Sequence, residues 1–218
     1  IAQSEAANGV QFVKYWLHNN MVTVDGQKMG KSLNNFITLK QAFSGVPERL
    51  TRDYAPLAIR QLILNSHYRS PIDFSDAALF SAQSGYEKIT DTVKAVRKRL
   101  PQAPEGEPDP KTTDELTDLT TRFQAAMNDD LNTSVALSVI FDLVRLTNKL
   151  LEDGSPATGT LDAVDDLFTK LGGDVLGVVK DEYEETCAGD EARIDGVIRI
   201  LIEQRAEARK NKYFEKAD

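Results

Sequence analysis

One cysteine, Cys187, and two histidines, His18 and His67, are the only thiol and imidazole groups in 218 residues. A single cysteine excludes a disulfide framework and a cysteine-built zinc site, and it suits a reducing compartment. The histidines lie far apart in sequence with no Cys-x-x-Cys beside them, so no metal site is predicted, and His67 reads as a packed or hydrogen-bonded residue. No apolar run approaches the length of a membrane span, and no signal peptide is expected. Positive charge is in deficit too. The net charge of −8 argues at first against a polyanionic partner, which needs neutralising lysines and arginines.

The distribution of that charge changes the conclusion. Residues 1–100 hold 13 Lys and Arg against 8 Asp and Glu, residues 101–192 hold 6 against 21, and residues 193–218 hold 7 against 5. Two basic ends flank an acidic middle, so a long anionic ligand could touch the ends and leave the middle clear. Acidic helices that keep the chain soluble are the competing explanation.

Periodicity predicts a mainly helical chain. Residues 1–17 suggest a helix interrupted near Asn8-Gly9, with Phe12, Val13, Trp16 and Leu17 on one face. A turn at His18-Asn19-Asn20 leads into a short strand around Met21–Val24. Ser32 and Asn35 are candidate caps for a helix after that strand, and Thr38 or Thr51 for the next ones. Leu57, Ile59, Leu62, Ile63 and Leu64 read as core. A long amphipathic helix is expected over 75–100, carrying Leu79, Phe80, Tyr86, Ile89, Val93, Val96 and Leu100. It ends in Arg97, Lys98 and Arg99, which suit the negative end of a helix dipole. Residues 101–113, PQAPEGEPDPKTT, predict a mobile acidic, proline-rich linker. Two helices come next, one with Leu116, Leu119, Phe123, Ala126 and Met127, the other from about Thr133 to Leu151 with Asn132 or Thr133 as cap. A last amphipathic helix is built on Ile194, Val197, Ile198, Leu201 and Ile202.

The stretch that carries chemistry is VDGQKMGKSLNNF at 24–36. Lys28 and Lys31, separated by the flexible pair Met29-Gly30 and followed by the hydroxyl of Ser32, can surround a polyphosphate with ammonium and backbone N–H donors. It is not a P-loop. Three residues, not four, lie between Gly26 and Gly30, one short of the ring that cradles a β-phosphate. Asp25-Gly26 is also a strong hairpin dipeptide, so the five residues KMGKS alone suit a surface turn equally well.

Four stretches together point further. MVTVDGQKMGKSLNNF at 21–36, HYRSPIDFS at 67–75, MNDDLNTSVALSVIFD at 127–142 and IEQRAEARKNKYFEKAD at 202–218 resemble, in order, the C-terminal part of bacterial cysteinyl-tRNA synthetase. KMGKS corresponds to the class I motif whose usual form is K-M-S-K-S. The resemblance covers nearly the whole chain and is weakest at 101–115 and 154–190. It departs from the pattern at Gly30, where serine is usual, and at Asn34, where glycine is usual. Asn is the non-glycine residue that best tolerates positive φ, and neither change removes a positive charge.

The resemblance implies an architecture. Residues 1–45 would end a Rossmann-type catalytic domain, 46–187 form an antiparallel helical bundle that binds the tRNA stem, and 188–218 begin a small anticodon-binding region. It also implies the reaction: the carboxylate of cysteine attacks the α-phosphorus of ATP, pyrophosphate leaves, and the aminoacyl group passes to the terminal ribose of tRNA(Cys). Lys31 matches the ATP-binding lysine, with Lys28 supporting it and Met29, Gly30 and Ser32 completing the loop. ATP comes with Mg2+. The H-I-G-H type motif and the zinc that selects cysteine belong to an upstream half, so no metal ligand is assigned here. Arg97, Lys98, Arg99, Arg205, Arg209, Lys210 and Lys212 are the candidate tRNA contacts. The chain begins at Ile1 and its helical pattern runs to Asp218, which predicts a piece cut from a longer protein; the resemblance implies a cytoplasmic, monomeric enzyme and a fragment inactive alone. Two other readings stay open: the related ligase joining cysteine to glucosaminyl-inositol, and a non-catalytic helical adaptor.

Overall fold

Residues 1–44 and 50–183 are described by a computed structural model of the chain. The chain divides into two compact units, Ile1–Asp181 and Glu182–Asp218; the elements named here belong to the first. The expected helix over 194–202 and the basic residues after it lie outside the described residues.

Helix α1 (Ala2–Asn8) stops at Gly9, whose left-handed backbone (φ 66°) caps it through an N–H···O bond to Glu5. The expected continuation to residue 17 does not form. Phe12, Trp16 and Leu17 are half or more exposed instead, so among the described residues no helical face is buried that would repay the ordering of that segment. Strands β1 (Val22–Val24) and β2 (Gln27–Lys28) form a hairpin closed by Asp25-Gly26, both at positive φ (50° and 75°), as a two-residue primed turn requires. Strand β3 (Ile72–Asp73) pairs parallel to β1 on its other side, Val22 opposite Ile72 and Thr23 opposite Asp73, giving the order β2-β1-β3.

Between β2 and β3 run a short 3-10 turn (Lys31–Leu33), helix α2 (Leu39–Ser44) and helix α3 (Pro56–Leu64). Thr38 and Gln41 cap α2 reciprocally: the Gln41 N–H donates to Thr38 Oγ1 (3.2 Å) and the Thr38 N–H to Gln41 Oε1 (2.9 Å). Asn35 and Thr51 do not act as caps. Asn35 is turned into the loop before α2. Thr51 donates to both carboxylate oxygens of Asp76, and α3 starts on Pro56, whose missing N–H costs nothing at a first turn. Val24, Ile37, Ala42, Leu50, Tyr54, Ile59, Leu62, Phe74, Leu79 and Ala82 form one core joining sheet and helices.

The long helix α4 (Asp76–Arg99) is capped by Ser75, whose Oγ accepts from the Ala78 N–H. It packs on α3, on α6 (Thr133–Asp153) and on α7 (Thr158–Leu167), while α5 (Pro110–Asn128) packs on α6 and α7. The four-residue connection 129–132 returns α6 along α5, and Asn132 caps α6 as expected. Helix α7 and the wide turn Phe168–Val175 that continues it are not legible in the sequence.

The proline-rich segment is shorter and better held than expected. Asp109 caps α5, so Lys111-Thr112-Thr113 are helical. The remaining residues are tied to the start of α7: the Thr158 N–H donates to Pro104 O (2.9 Å), the Gly159 N–H to Gly106 O (3.1 Å) and the Asp109 N–H to Thr160 Oγ1 (3.0 Å). A Cβ on Gly159 would stand 2.8 Å from Gly106 O and 2.9 Å from Pro108, closer than side chains come to backbone. Gly159→Ala is therefore expected to destabilise the chain by about 1–3 kcal/mol, because the segment must lift off to make room. Urea unfolding checks this, and an unchanged midpoint contradicts the docking.

Candidate functional site

The lysine loop is built from the sheet outward. Asp73, on β3, reaches across to the hairpin: its Oδ1 accepts from the Gly26 N–H at 2.9 Å and from Thr23 Oγ1 at 2.7 Å. The Gly26 bond first, and the Thr23 hydroxyl second, hold the Asp73 carboxyl below its ordinary value. The hairpin is thus anchored at its tip as well as along β1.

Beyond β2 the backbone is fixed at each step. The Met29 N–H donates to Val22 O (3.0 Å) and the Met29 side chain packs against the core, so this residue is an anchor and not half of a flexible pair. Gly30 is extended (φ −166°, ψ 144°), a conformation open to any residue. The Leu33 N–H donates to Gly30 O and the Asn34 N–H to Lys31 O, both at 3.1 Å, closing the 3-10 turn. Asn34 then reverses the chain in the left-handed region (φ 51°), the conformation expected of it.

That reversal brings Asn35 underneath the loop. Asn35 is 5% exposed, its Oδ1 accepts from the Gly30 N–H (2.8 Å), and its Nδ2 donates to Lys28 O (3.0 Å). Its type suggests a helix cap; only the spacing of the two asparagines after Leu33 hints at this other use.

Lys28, Lys31 and Ser32 are exposed. Among the described residues neither lysine has a carboxylate at ion-pair distance, and the Lys31 ammonium lies 5.8 Å from the centre of the Phe36 ring. Two cations and the exposed side of a hydrogen-bonded turn thus stand at the surface beside the sheet, an arrangement able to receive a polyphosphate.

The three basic residues closing α4 differ. Arg97 is committed inward: Nε donates to both oxygens of Asp165 (2.9 and 3.1 Å), Nη1 to the carbonyls of Lys180 and Asp181 (2.7 Å each), and Nη2 to Thr169 Oγ1 (3.2 Å). It braces α4 against α7 and the turn beyond, which leaves little of its guanidinium for a phosphate. Lys98 and Arg99 are exposed, Arg99 donating to Ser155 Oγ at 3.1 Å. Arg205, Arg209, Lys210 and Lys212 lie outside the described residues.

His18 stacks on Trp16, and His67 stacks on Tyr68 with its Nε2 3.7 Å from Asp130. Among the described residues no group of three or more His, Cys, Asp or Glu side chains could hold a metal ion. Nor is any described helix long and apolar enough to cross a membrane.

Residues 1–84 match a family model described as the tRNA synthetases class I (C) catalytic domain, and residues 122–180 match the DALR domain. All of this chain aligns with the cysteine–tRNA ligase of Chlorobaculum tepidum, at 42% identity over 221 residues, and with that of Bacteroides fragilis, at 39% over 219. The chain spans 42% and 43% of the length of these two relatives. Among solved structures, the LeuRS of Agrobacterium radiobacter K84, crystallised as a ternary complex with tRNA and LeuAMS, matches with a TM-score of 0.53 over 73% of this chain and 23% of that one. At 19% identity, that likeness speaks for the fold alone.

The loop geometry sets two expected outcomes. A Cβ on Gly30 would meet only Ser32 Oγ, at 3.9 Å, so Gly30→Ser is expected to leave stability unchanged or raise it by up to about 1 kcal/mol in thermal unfolding; a loss of that size contradicts the extended backbone. Because the Asp73 carboxyl is held below its ordinary 3.8, its contribution is fully present above that value and is lost as pH falls through the lower folded value. The stability gap between wild type and Asp73→Asn is therefore expected to shrink below about pH 4 in urea titrations, and a gap independent of pH contradicts the anchor.

Proposed function

The chain belongs to the cysteinyl-tRNA synthetase family, and from that premise we propose that it supplies the ATP loop and the tRNA-stem helices of a cysteine–tRNA ligase. The observation that carries this reading is the pinned backbone between Lys28 and Lys31: with Met29 bonded to Val22 and packed against the core, two exposed ammonium groups flank a fixed point.

In cysteine activation, negative charge grows on the departing pyrophosphate. Cations already aimed at that charge stabilise the transition state more than the ground state and need little reorganisation. Lys31 takes the part of the principal pyrophosphate contact, Lys28 that of a second, and the Met29-Gly30 backbone and the Ser32 hydroxyl that of hydrogen-bonding partners. ATP enters with Mg2+. In this reading the zinc that selects the cysteine thiolate is held by residues of the upstream half; among the described residues no group of three or more His, Cys, Asp or Glu side chains could hold it.

The catalytic domain in this reading runs to about residue 84, which the family match over 1–84 and the pairing of β3 with β1 support, the helices that follow lie along the tRNA stem, and 188–218 open the anticodon-binding region. Lys98 and Arg99, with Arg205, Arg209, Lys210 and Lys212, are the phosphate contacts in this reading, and Arg97 is their brace. The match of residues 122–180 to the DALR domain and the whole-length likeness to cysteine–tRNA ligases support tRNA(Cys) as the partner over a small-molecule acceptor. In this reading the enzyme works as a monomer in the cytoplasm, a reducing compartment that keeps its thiol substrate reduced.

Cysteine-dependent ATP–pyrophosphate exchange by the full-length enzyme tests the loop. Lys31→Ala is expected to lower exchange by about a hundred- to a thousandfold, the usual cost of losing one preorganised donor. An unchanged rate leaves KMGKS a surface hairpin.

A further inference from the structure

We propose that Asn35 is a positioning residue for cysteine activation, its buried carboxamide setting the backbone from which Lys28 and Lys31 reach the nucleotide. This role rests on the proposed binding of ATP by the lysine loop.

The geometry is a two-point clamp. Oδ1 receives the Gly30 N–H at 2.8 Å and Nδ2 gives a hydrogen to Lys28 O at 3.0 Å, so one side chain fixes the peptide groups on both sides of Met29. Bonded also to Val22 O and packed on the core, Met29 cannot rotate independently. The residues carrying the two ammonium groups leave this fixed unit at either end. The clamp is itself held: Asn35 and Ile37 are buried while Asn34, Phe36 and Thr38 are exposed, an alternation that seats Asn35 in the core margin.

The residue type is dictated by the two bonds. Aspartate keeps the acceptor for Gly30 but turns a carboxylate oxygen towards the Lys28 carbonyl, where a donor is needed. Glutamine has both groups one methylene too far out. Alanine leaves the part-buried Gly30 N–H and Lys28 C=O without this partner. Neither alanine nor glutamine touches a charge, and Asn35 has no surface from which to contact ATP. Its effect on the reaction runs through the lysines.

The test uses the full-length enzyme and cysteine-dependent ATP–pyrophosphate exchange, with rates normalised to active sites by burst titration. Wild type, Asn35→Ala, Lys31→Ala and the double variant are compared. Loss of two hydrogen bonds predicts a fall in kcat of about ten- to a hundredfold for Asn35→Ala, with the KM for ATP changed much less. A residue acting through the lysines costs less once Lys31, the principal contact, is gone, so Asn35→Ala is expected to cost clearly less in the Lys31→Ala background than in wild type, the remainder running through Lys28. A normalised kcat for Asn35→Ala within about twofold of wild type overturns the inference, as does a full multiplicative loss in the double variant, which places the effect of Asn35 outside Lys31. Should circular dichroism find Asn35→Ala unfolded, Asn35→Asp, the same shape with one bond kept, takes its place; wild-type kcat in that variant overturns the inference equally. Wild-type exchange that collapses with Lys31→Ala but survives Asn35→Ala defeats the clamp alone. No exchange in the wild type defeats the ATP reading and the clamp together.

Discussion

The parallel pairing of β1 with β3 is the constraint on which the rest depends. The Ile72 N–H donates to Met21 O at 3.1 Å and the Phe74 N–H to Thr23 O at 2.8 Å, joining segments about fifty residues apart. Parallel strands need a crossover, and here it contains the lysine loop, α2 and α3. Closing so long a loop is offset by the shared core, where Val24 from the hairpin meets Phe74 and Leu79 from the other side. Without that pairing Asp73 has no hairpin to hold, and the loop has no fixed base.

The same strand runs directly into the bundle. One residue after Phe74, Ser75 caps α4, and at the next position Asp76 collects the Thr51 N–H and hydroxyl and the Tyr54 hydroxyl. Burial, reinforced by its bond to Asp76, pushes the Tyr54 hydroxyl up to about 12, so it remains a donor at any physiological pH. The turn before β3 is tied to the α5–α6 connection. Tyr68 donates to Asp130 Oδ1 (2.8 Å) and Arg69 pairs with Oδ2 (2.9 Å), across a stretch where Asp130 and Leu131 both adopt positive φ. Two non-glycine residues in the left-handed region store strain, and the bonds to Tyr68 and Arg69 help to hold them there. Sheet, lysine loop and helices are thus one connected framework.

Much of this framework is legible in the residues. Asp25-Gly26 predicts its turn because the primed geometry has few alternatives; the three long helices announce themselves through 3.6-residue periodicity and through Asn132 as a cap. The illegible parts depend on partners remote in sequence. Phe12, Trp16 and Leu17 have helical spacing but no described surface to bury against. The proline-rich stretch looks mobile by composition, yet its carbonyls find Thr158 and Gly159 on a helix that the sequence does not disclose. In the loop, the two lysines can be picked out by type and spacing. Asn35 and Asp73 cannot, since their roles consist of hydrogen bonds made after the chain has folded back. Arg97 shows the converse: a basic residue at a helix end reads as a phosphate contact until Asp165 and two carbonyls are found around it.

Under the proposed function the full-length enzyme passes activated cysteine to tRNA and not to a small acceptor. Incubating the full-length enzyme with labelled cysteine, ATP and total tRNA, then measuring acid-precipitable label, decides between the two. The expected result is ATP-dependent label on tRNA that ribonuclease releases. Cysteine-dependent pyrophosphate exchange with no label on tRNA would contradict the assignment of tRNA as acceptor.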